Sequence, residues 1–163
     1  MSILDARPYR TAVGAVVLNA DGHILTGMRN WHPRLWKMPQ GGVQVGETFE
    51  AALRRELKEE TGILDITIQR QSANLHTYDY PRNPESDAHA HRGQQLTWFL
   101  VTTSQRHLDP VTYVPADDVP EFMDFRWADA AKVVTLAHNS RVGNYVSAQR
   151  KEMYRKIFSE FGL

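Results

Sequence analysis

The chain has 163 residues, a length that normally supports one well-buried core, so we expect a single domain over residues 1–163. Its 19 basic and 19 acidic residues cancel, which argues against the broad positive field of a non-specific nucleic-acid binder. There is no cysteine, which excludes a disulfide framework, a thiolate zinc site and a cysteine nucleophile. No apolar run approaches the roughly 20 residues of a membrane span or resembles a signal peptide, so we expect a cytoplasmic protein with no membrane partner.

The first third of the chain predicts a β-hairpin followed by a loop. Apolar runs flanking a turn-forming Asn-Ala-Asp-Gly segment predict a strand over 11–18, a turn over 19–22 and a returning strand over 23–28. Residues 30–46 are rich in Gly, Pro and Trp and have no periodicity. This composition is typical of a loop that is packed by its own side chains.

The rest of the chain predicts two helices and several strands. The expected elements are a helix over 48–60 with Thr48 as N-cap and Gly62 as its stop, strands within 64–80 and 96–103, a polar segment over 81–93, a short strand over 125–127 and a helix over 145–161. Strands, helix, strands and helix in this order are typical of an α+β protein with a mixed sheet.

The helix over 48–60 carries acidic side chains beside its apolar stripe. With about 100° per residue and Phe49 as the origin, Ala52, Leu53 and Leu57 form the stripe that we expect to be buried. Glu56, Glu59 and Glu60 fall within roughly 80° of Phe49 on the same wheel, and Arg54 and Lys58 lie on the opposite side.

Carboxylates on a buried helix face need a compensating cation, because an unpaired buried charge is costly. A solvated charged face is the ordinary interpretation of such a run, and Arg55 is a rival partner at i+4 from Glu59. One arginine cannot neutralise three acids, however, and oxygen ligands in a cluster suit a hard divalent cation. The spacing of Glu56, Glu59 and Glu60 therefore predicts a site for Mg²⁺ or Mn²⁺.

A glycine-containing loop precedes this helix and completes a longer pattern. The pattern is Gly41, five residues, Glu47, seven residues, and then Arg-Glu-Leu-Lys-Glu-Glu-Thr-Gly-Ile over 55–63. It spans 23 residues and resembles the Nudix box of the Nudix hydrolase family at each of its defining positions.

The resemblance implies a fold and a set of roles. The fold is the Nudix fold, a mixed β-sheet sandwiched between α-helices (α/β/α). In that family the glutamates at the positions of Glu56, Glu59 and Glu60 hold the metals, often joined by the carbonyl at Gly41. Glu47 and Arg55 are similar to the pair that holds the loop against the helix.

Segments outside the box resemble one branch of the family, the bacterial RNA pyrophosphohydrolases and the asymmetrical dinucleoside polyphosphate hydrolases. They lie at 9–10, 36–42, 77–81, 93–94, 98–99, 120–122 and 127. The resemblance implies a further metal ligand at Glu121 and nominates Arg10, Lys37, Gln40 and Tyr78 as substrate-binding residues. The alternative for Glu121 is an exposed acid in a loop.

The chain departs from this branch at two positions. Leu96 and Thr97 stand where branch members commonly have a second glutamine and a phosphate-binding lysine. A missing lysine predicts weaker binding of a long polyphosphate, unless Lys37 or Arg92 reaches the same space.

The resulting hypothesis is an in-line attack of water on a polyphosphate, with two or more Mg²⁺ or Mn²⁺ ions and with Glu56, Glu60 and Glu121 as catalytic carboxylates. The expected substrate is the 5′-triphosphorylated end of RNA, trimmed to a 5′-monophosphate. The alternatives are diadenosine tetraphosphate, cut to ATP and AMP, a damaged nucleoside triphosphate, and a non-catalytic nucleotide or RNA sensor. The complete set of box acids argues against the sensor.

Overall fold

A computed structural model describes residues 5–30, 34–81, 90–106, 108, 119–138 and 145–163. Within these ranges the elements are β1 (Tyr9–Leu18), β2 (Ile24–Arg29), β3 (Trp36–Lys37), β4 (Gln40–Gly42), α1 (Phe49–Thr61), β5 (Thr67–Gln71), β6 (His76–Asp79), β7 (Gly93–Thr102), β8 (Phe122–Ala128), α2 (Ala130–Ala137) and α3 (Tyr145–Phe161). None of the helices in these ranges combines the length and apolar character that a membrane crossing requires.

The strands form a mixed sheet around β1. β1 runs parallel to β7 along its whole length and antiparallel to β4. β2 meets β1 only where Leu18 is paired with Ile24, next to the predicted turn, and then pairs with β3 and β8. β5 and β6 both pair with β7, at successive positions along it. The mixed sheet that the sequence predicts is confirmed.

Helices cover both faces of this sheet. Alternate residues of β1 point to opposite faces, so this strand contributes to two cores. Ala12 and Val16 belong to a core that includes Trp98 of β7 and residues of α2 and α3. Val13, Ala15 and Val17 belong to a second core with Ala52, Leu53 and Leu57 of α1. The three layers agree with the α/β/α arrangement that the family resemblance implies.

Helix α1 begins and ends as its sequence predicts. The Thr48 hydroxyl accepts a hydrogen bond from the Ala51 N–H at 3.1 Å, and Gly62 ends the helix in the left-handed conformation with φ of 73°. Glycine adopts this conformation without a Cβ penalty. The two caps fix the register of the carboxylates relative to the loop before the helix.

Three regions of the chain differ from the sequence prediction. The predicted loop over 30–46 contains β3 and β4, which are too short to show periodicity and are defined by pairing with β2 and β1. The strand region 64–80 is interrupted between β5 and β6, and α2 was not predicted. The polar segment over 81–93 lies largely outside the described residues.

Candidate active site

Helix α1 presents its carboxylates at three different depths. Glu60 is buried, with 7% of its surface exposed, and Glu56 is partly buried beside it. The expectation that all three box acids share the buried side is wrong for Glu59, whose side chain is 48% exposed. Phe49 is also exposed, at 37%. Glu59 lies at the margin of the stripe formed by Ala52, Leu53 and Leu57. Phe49 lies on the stripe but is the first residue of the helix.

Arg55 organises the outer carboxylates into what we call the Arg55 cluster, formed by Glu47, Arg55, Glu56 and Glu59. The guanidinium donates to Glu47 through two nitrogens at 2.8 Å, to Glu56 at 2.7 Å and to Glu59 at 3.3 Å. It also donates to the Gly42 carbonyl at 2.8 Å. These bonds hold the loop before α1 against the helix, which is the geometry expected for Glu47 and Arg55.

The pKa values in this cluster follow from the same contacts. The Arg55 hydrogen bond, assisted by the Gln44 N–H, lowers the pKa of Glu47 to about 2. The Glu47 contact in turn raises the pKa of Arg55 above its usual value. Burial raises the pKa of Glu56, against the opposing effect of Arg55.

A second group, the Lys37 cluster, consists of Lys37, Glu60 and Glu121. Lys37 Nζ lies 2.8 Å from Glu121 Oε1 and 3.3 Å from Glu60 Oε1, and only 8% of the Lys37 side chain is exposed. Burial, together with the charges of Glu121 and Glu56, raises the pKa of Glu60 to about 7 despite Lys37. Burial opposes the charge of Lys37, but the two carboxylates outweigh it and raise the pKa of Lys37. The cluster joins strand β3, helix α1 and the residue before β8.

Gln40 connects the Lys37 cluster to the strands beyond it. Its backbone N–H donates to Glu60 at 3.0 Å, and its side-chain amide donates to the Tyr78 hydroxyl and to Gln94, each at 3.0 Å. Gln94 donates in turn to the Tyr80 hydroxyl at 2.9 Å. The chain of hydrogen bonds links the carboxylate end of the site to two aromatic rings on the β6 side.

A cavity of about 440 Å³ collects most of the predicted site residues. Its walls include Arg10, Lys37, Gln40, Gly41, Glu56, Glu60, Tyr78 and Glu121. Glu59 is the one predicted site residue that does not line it. Carboxylates, cations and aromatic side chains therefore border a single space, although they come from distant parts of the sequence.

Several residues of the cavity wall were not predicted from the sequence: Arg29, Gly42, Tyr80, Gln94, Val146 and Arg150. Arg150 is 3% exposed, and its Nε has no hydrogen-bond partner within the described ranges. Its guanidinium carbon lies 5.7 Å from the centre of the Tyr78 ring. Arg150 stands at helical spacing from Met153, Tyr154 and Ile157. A charged residue on the apolar stripe of α3 was therefore the signal in the sequence that could have identified it as a site residue.

The two departures from the family branch do not reach the cavity. Leu96 is fully buried among apolar side chains, and Thr97 is 3% exposed. Of the two cations considered as substitutes for the missing lysine, Lys37 lines the cavity. Arg92 instead pairs with Asp79 at 3.3 Å and stacks on Tyr9 at 4.8 Å, outside this wall.

The donor set fits a hard divalent cation. Glu56, Glu60 and Glu121 supply carboxylate oxygens, and Gly41 brings backbone against Glu56 so closely that a Cβ at position 41 would overlap the carboxylate. No three acidic or histidine side chains within the described ranges are grouped closely enough to share one ion. In this arrangement Arg55 and Lys37 are the partners of the carboxylates. The chemistry of the donors fits a metal, and an ion shared by Glu60 and Glu121 requires their ion pairs with Lys37 to rearrange.

Comparison with known proteins identifies relatives over nearly the whole chain. Residues 8–149 match the NUDIX domain. The chain is 33% identical over 163 residues to an RNA pyrophosphohydrolase of Zymomonas mobilis, covering 97% of each protein. Among solved structures, an Ap4A hydrolase complex of C. elegans has a TM-score of 0.63 at 18% identity, with 94% of this chain and 98% of that chain covered. The E. coli dihydroneopterin triphosphate pyrophosphohydrolase has a TM-score of 0.61 at 18% identity, covering 92% and 99%.

Proposed function

The chain belongs to the NUDIX domain family, and from this premise we propose that it removes pyrophosphate from 5′-triphosphorylated RNA ends and leaves a 5′-monophosphate. The observation that carries the proposal is the shared cavity, in which three carboxylates and the cations Arg10, Arg29 and Arg150 border one space. Carboxylates supply ligands for a metal, and arginines bind phosphate oxygens. The relative from Zymomonas mobilis supports the choice of an RNA end as substrate.

We propose that Glu56, Glu60, Glu121 and the Gly41 carbonyl hold Mg²⁺ or Mn²⁺, with Glu59 at the outer edge and two or more ions in total. When bound, such ions neutralise the charge of the phosphate oxygens and lower the pKa of a coordinated water. The Arg55 cluster keeps Glu56 and the glycine loop together by direct hydrogen bonds. The carboxylate ligands therefore have a support that is independent of the substrate.

In the proposed reaction, one water molecule is consumed for each anhydride bond that is broken. The water oxygen forms a bond to phosphorus while the P–O bond of the α–β anhydride breaks and pyrophosphate leaves. A carboxylate among Glu56, Glu60 and Glu121 accepts the proton of the water. All three line the same cavity as the arginines, so the acceptor lies close to the phosphates that are bound there.

The cations on the wall bind the triphosphate in this proposal. Arg10 lies across Gly42, where a Cβ would overlap its guanidinium, and Arg150 is held beneath Tyr78. Arg150 takes the place of the lysine that is absent at Thr97, since it borders the cavity and a guanidinium donates to phosphate oxygens. Tyr78 and Tyr80 form an edge-to-face pair with centres 6.0 Å apart, beside which the first base is placed.

The proposal is tested by Mg²⁺-dependent hydrolysis of triphosphorylated RNA and diadenosine tetraphosphate at equal concentration, with Glu60→Gln as the blank. We expect faster conversion of the RNA, with pyrophosphate released and a monophosphorylated end detected by a monophosphate-dependent exonuclease. Faster cleavage of diadenosine tetraphosphate would overturn the RNA end as the substrate and identify the dinucleotide instead. No cleavage of either, or of a panel of modified nucleoside triphosphates, would favour a nucleotide or RNA sensor.

A further inference from the structure

Lys37 occupies an unusual position among the carboxylates of the site. It lies on β3, whose backbone pairs with β2 at Gly27, and its Nζ is held between Glu60 and Glu121. The Nζ lies 5.3 Å from the centre of the Phe122 ring, and that ring fills the space where Gly27 lacks a Cβ. Strand pairing and aromatic packing thus deliver one buried ammonium group to two acids.

The contacts of Lys37 coincide with the donors of the proposed metal site. Its two partners are Glu60 and Glu121, which are two of the three carboxylates in the cavity wall. The third, Glu56, is paired with Arg55 instead. A metal ion that binds Glu60 and Glu121 must therefore displace the ammonium group of Lys37. The displaced ammonium group stays close by and repels the metal ion.

We propose that Lys37 is a tethered counterion that competes with the divalent metal for Glu60 and Glu121. Lys37 stabilises the two carboxylates when no metal is bound and weakens metal binding by the same interaction. The inference rests on the proposed metal site, but it concerns the strength of binding rather than the reaction. Lys37 is a positioning residue in this role, acting through the carboxylates.

The test is Mn²⁺ binding measured by isothermal titration calorimetry for the wild-type chain, Lys37→Met and Lys37→Gln, without substrate. We expect both variants to bind Mn²⁺ about tenfold more tightly, because they lack the ammonium group that repels the ion. Coupling between two binding events commonly changes affinity by about 5-fold to 150-fold. Lys37→Arg retains the charge and should restore wild-type affinity. Lys58→Met removes an exposed lysine from α1 and serves as the control for a general change of charge.

Thermal unfolding provides a second readout on the same proteins. Without metal, Lys37→Met should have a lower Tm than the wild type, because Glu60 and Glu121 lose their buried partner. Saturating Mg²⁺ should then raise the Tm of the variant by more than that of the wild type. A purely structural lysine would lower the Tm without changing metal affinity.

The outcomes separate the two proposals. Tighter Mn²⁺ binding than in the wild type in both Lys37→Met and Lys37→Gln, with wild-type affinity in Lys37→Arg, supports the competition. A second outcome is that the wild type binds Mn²⁺ and Glu60→Gln weakens this binding, but both neutral Lys37 variants bind no more tightly than the wild type. This outcome overturns the counterion role and leaves the proposed function standing. Absence of Mn²⁺ binding in every protein overturns both.

Discussion

The Arg55 cluster and the Lys37 cluster hold carboxylates of the same helix in different ways. The Arg55 cluster is built within residues 42–59, and its arginine side chain is 22% exposed. The Lys37 cluster joins three segments that are distant in sequence, and its lysine side chain is 8% exposed. Because water screens the first cluster more than the second, charge changes should have their larger effects around Lys37. Ion pairs to one helix thus hold the loop on one side and border the proposed metal site on the other.

The largest expected effect is on catalysis in the Lys37 cluster. Glu60→Gln removes one carboxylate charge while retaining a side chain of the same shape, and we expect hydrolysis to fall by about 10²–10⁴-fold. Steady-state kinetics with triphosphorylated RNA measures the loss, and circular dichroism checks the fold. Glu50→Gln, which alters an exposed acid of α1 paired with Arg54, is the matched control. Near-normal turnover in Glu60→Gln would remove Glu60 from the catalytic set.

Arg55→Met should have the largest effect on stability in the outer cluster. The change leaves Glu47 and Glu56 without their main partner and frees the Gly42 carbonyl. We expect a loss of about 2 kcal/mol, discounted for partial exposure, and a fall in Tm of about 4–8 °C. Denaturant unfolding measures the loss in the free energy of unfolding.

Arg54→Ala is the control for this change, since Arg54 is exposed and makes an i,i+4 pair with Glu50 at 2.9 Å. Such pairs contribute about 0.3–0.5 kcal/mol. Equal losses in the two arginine variants would mean that the Arg55 cluster does not hold the loop.

Arg150→Met tests whether the buried arginine acts on substrate rather than on the fold. Hydrogen bonds to charged groups contribute about 1.5–3 kcal/mol, so we expect KM to rise about 10–100-fold with a smaller change in kcat. Arg150→Lys should recover part of the affinity because it keeps the charge. A lower Tm with unchanged KM would show that Arg150 only supports Tyr78.

The smallest expected effect is the pH dependence that Glu47 gives to stability. Its pKa is about 2 in the folded chain, below the usual 4.5, so the folded state binds fewer protons than the unfolded state between these values. The stabilisation is present above the unfolded pKa and is lost as the pH falls through about 2. The Tm difference between the wild type and Glu47→Gln should therefore shrink from pH 6 to pH 2. A constant difference over this range would contradict the assignment.

Much of the fold was accessible because its signals are local. The caps at Thr48 and Gly62, the buried stripe of α1, the turn after β1 and the helix over 145–161 were each predicted from neighbouring residues. The short strands β3 and β4 were missed because they depend on partners elsewhere in the chain. Leu96 and Thr97 were interpreted as a loss from the site, and the structure places both in the interior instead.

By itself the sequence determined the local framework of this protein. Periodicity placed Glu56, Glu59 and Glu60 on one helix, because helical spacing is written in adjacent residues. The resemblance to the Nudix box implied the family and the pairing of Glu47 with Arg55. Only the tertiary structure decided which charges from distant segments meet. It exposed Glu59, brought Arg150 beneath Tyr78 and placed Lys37 between Glu60 and Glu121. Such contacts depend on how strands and helices pack across the sheet, and no spacing along the chain encodes them.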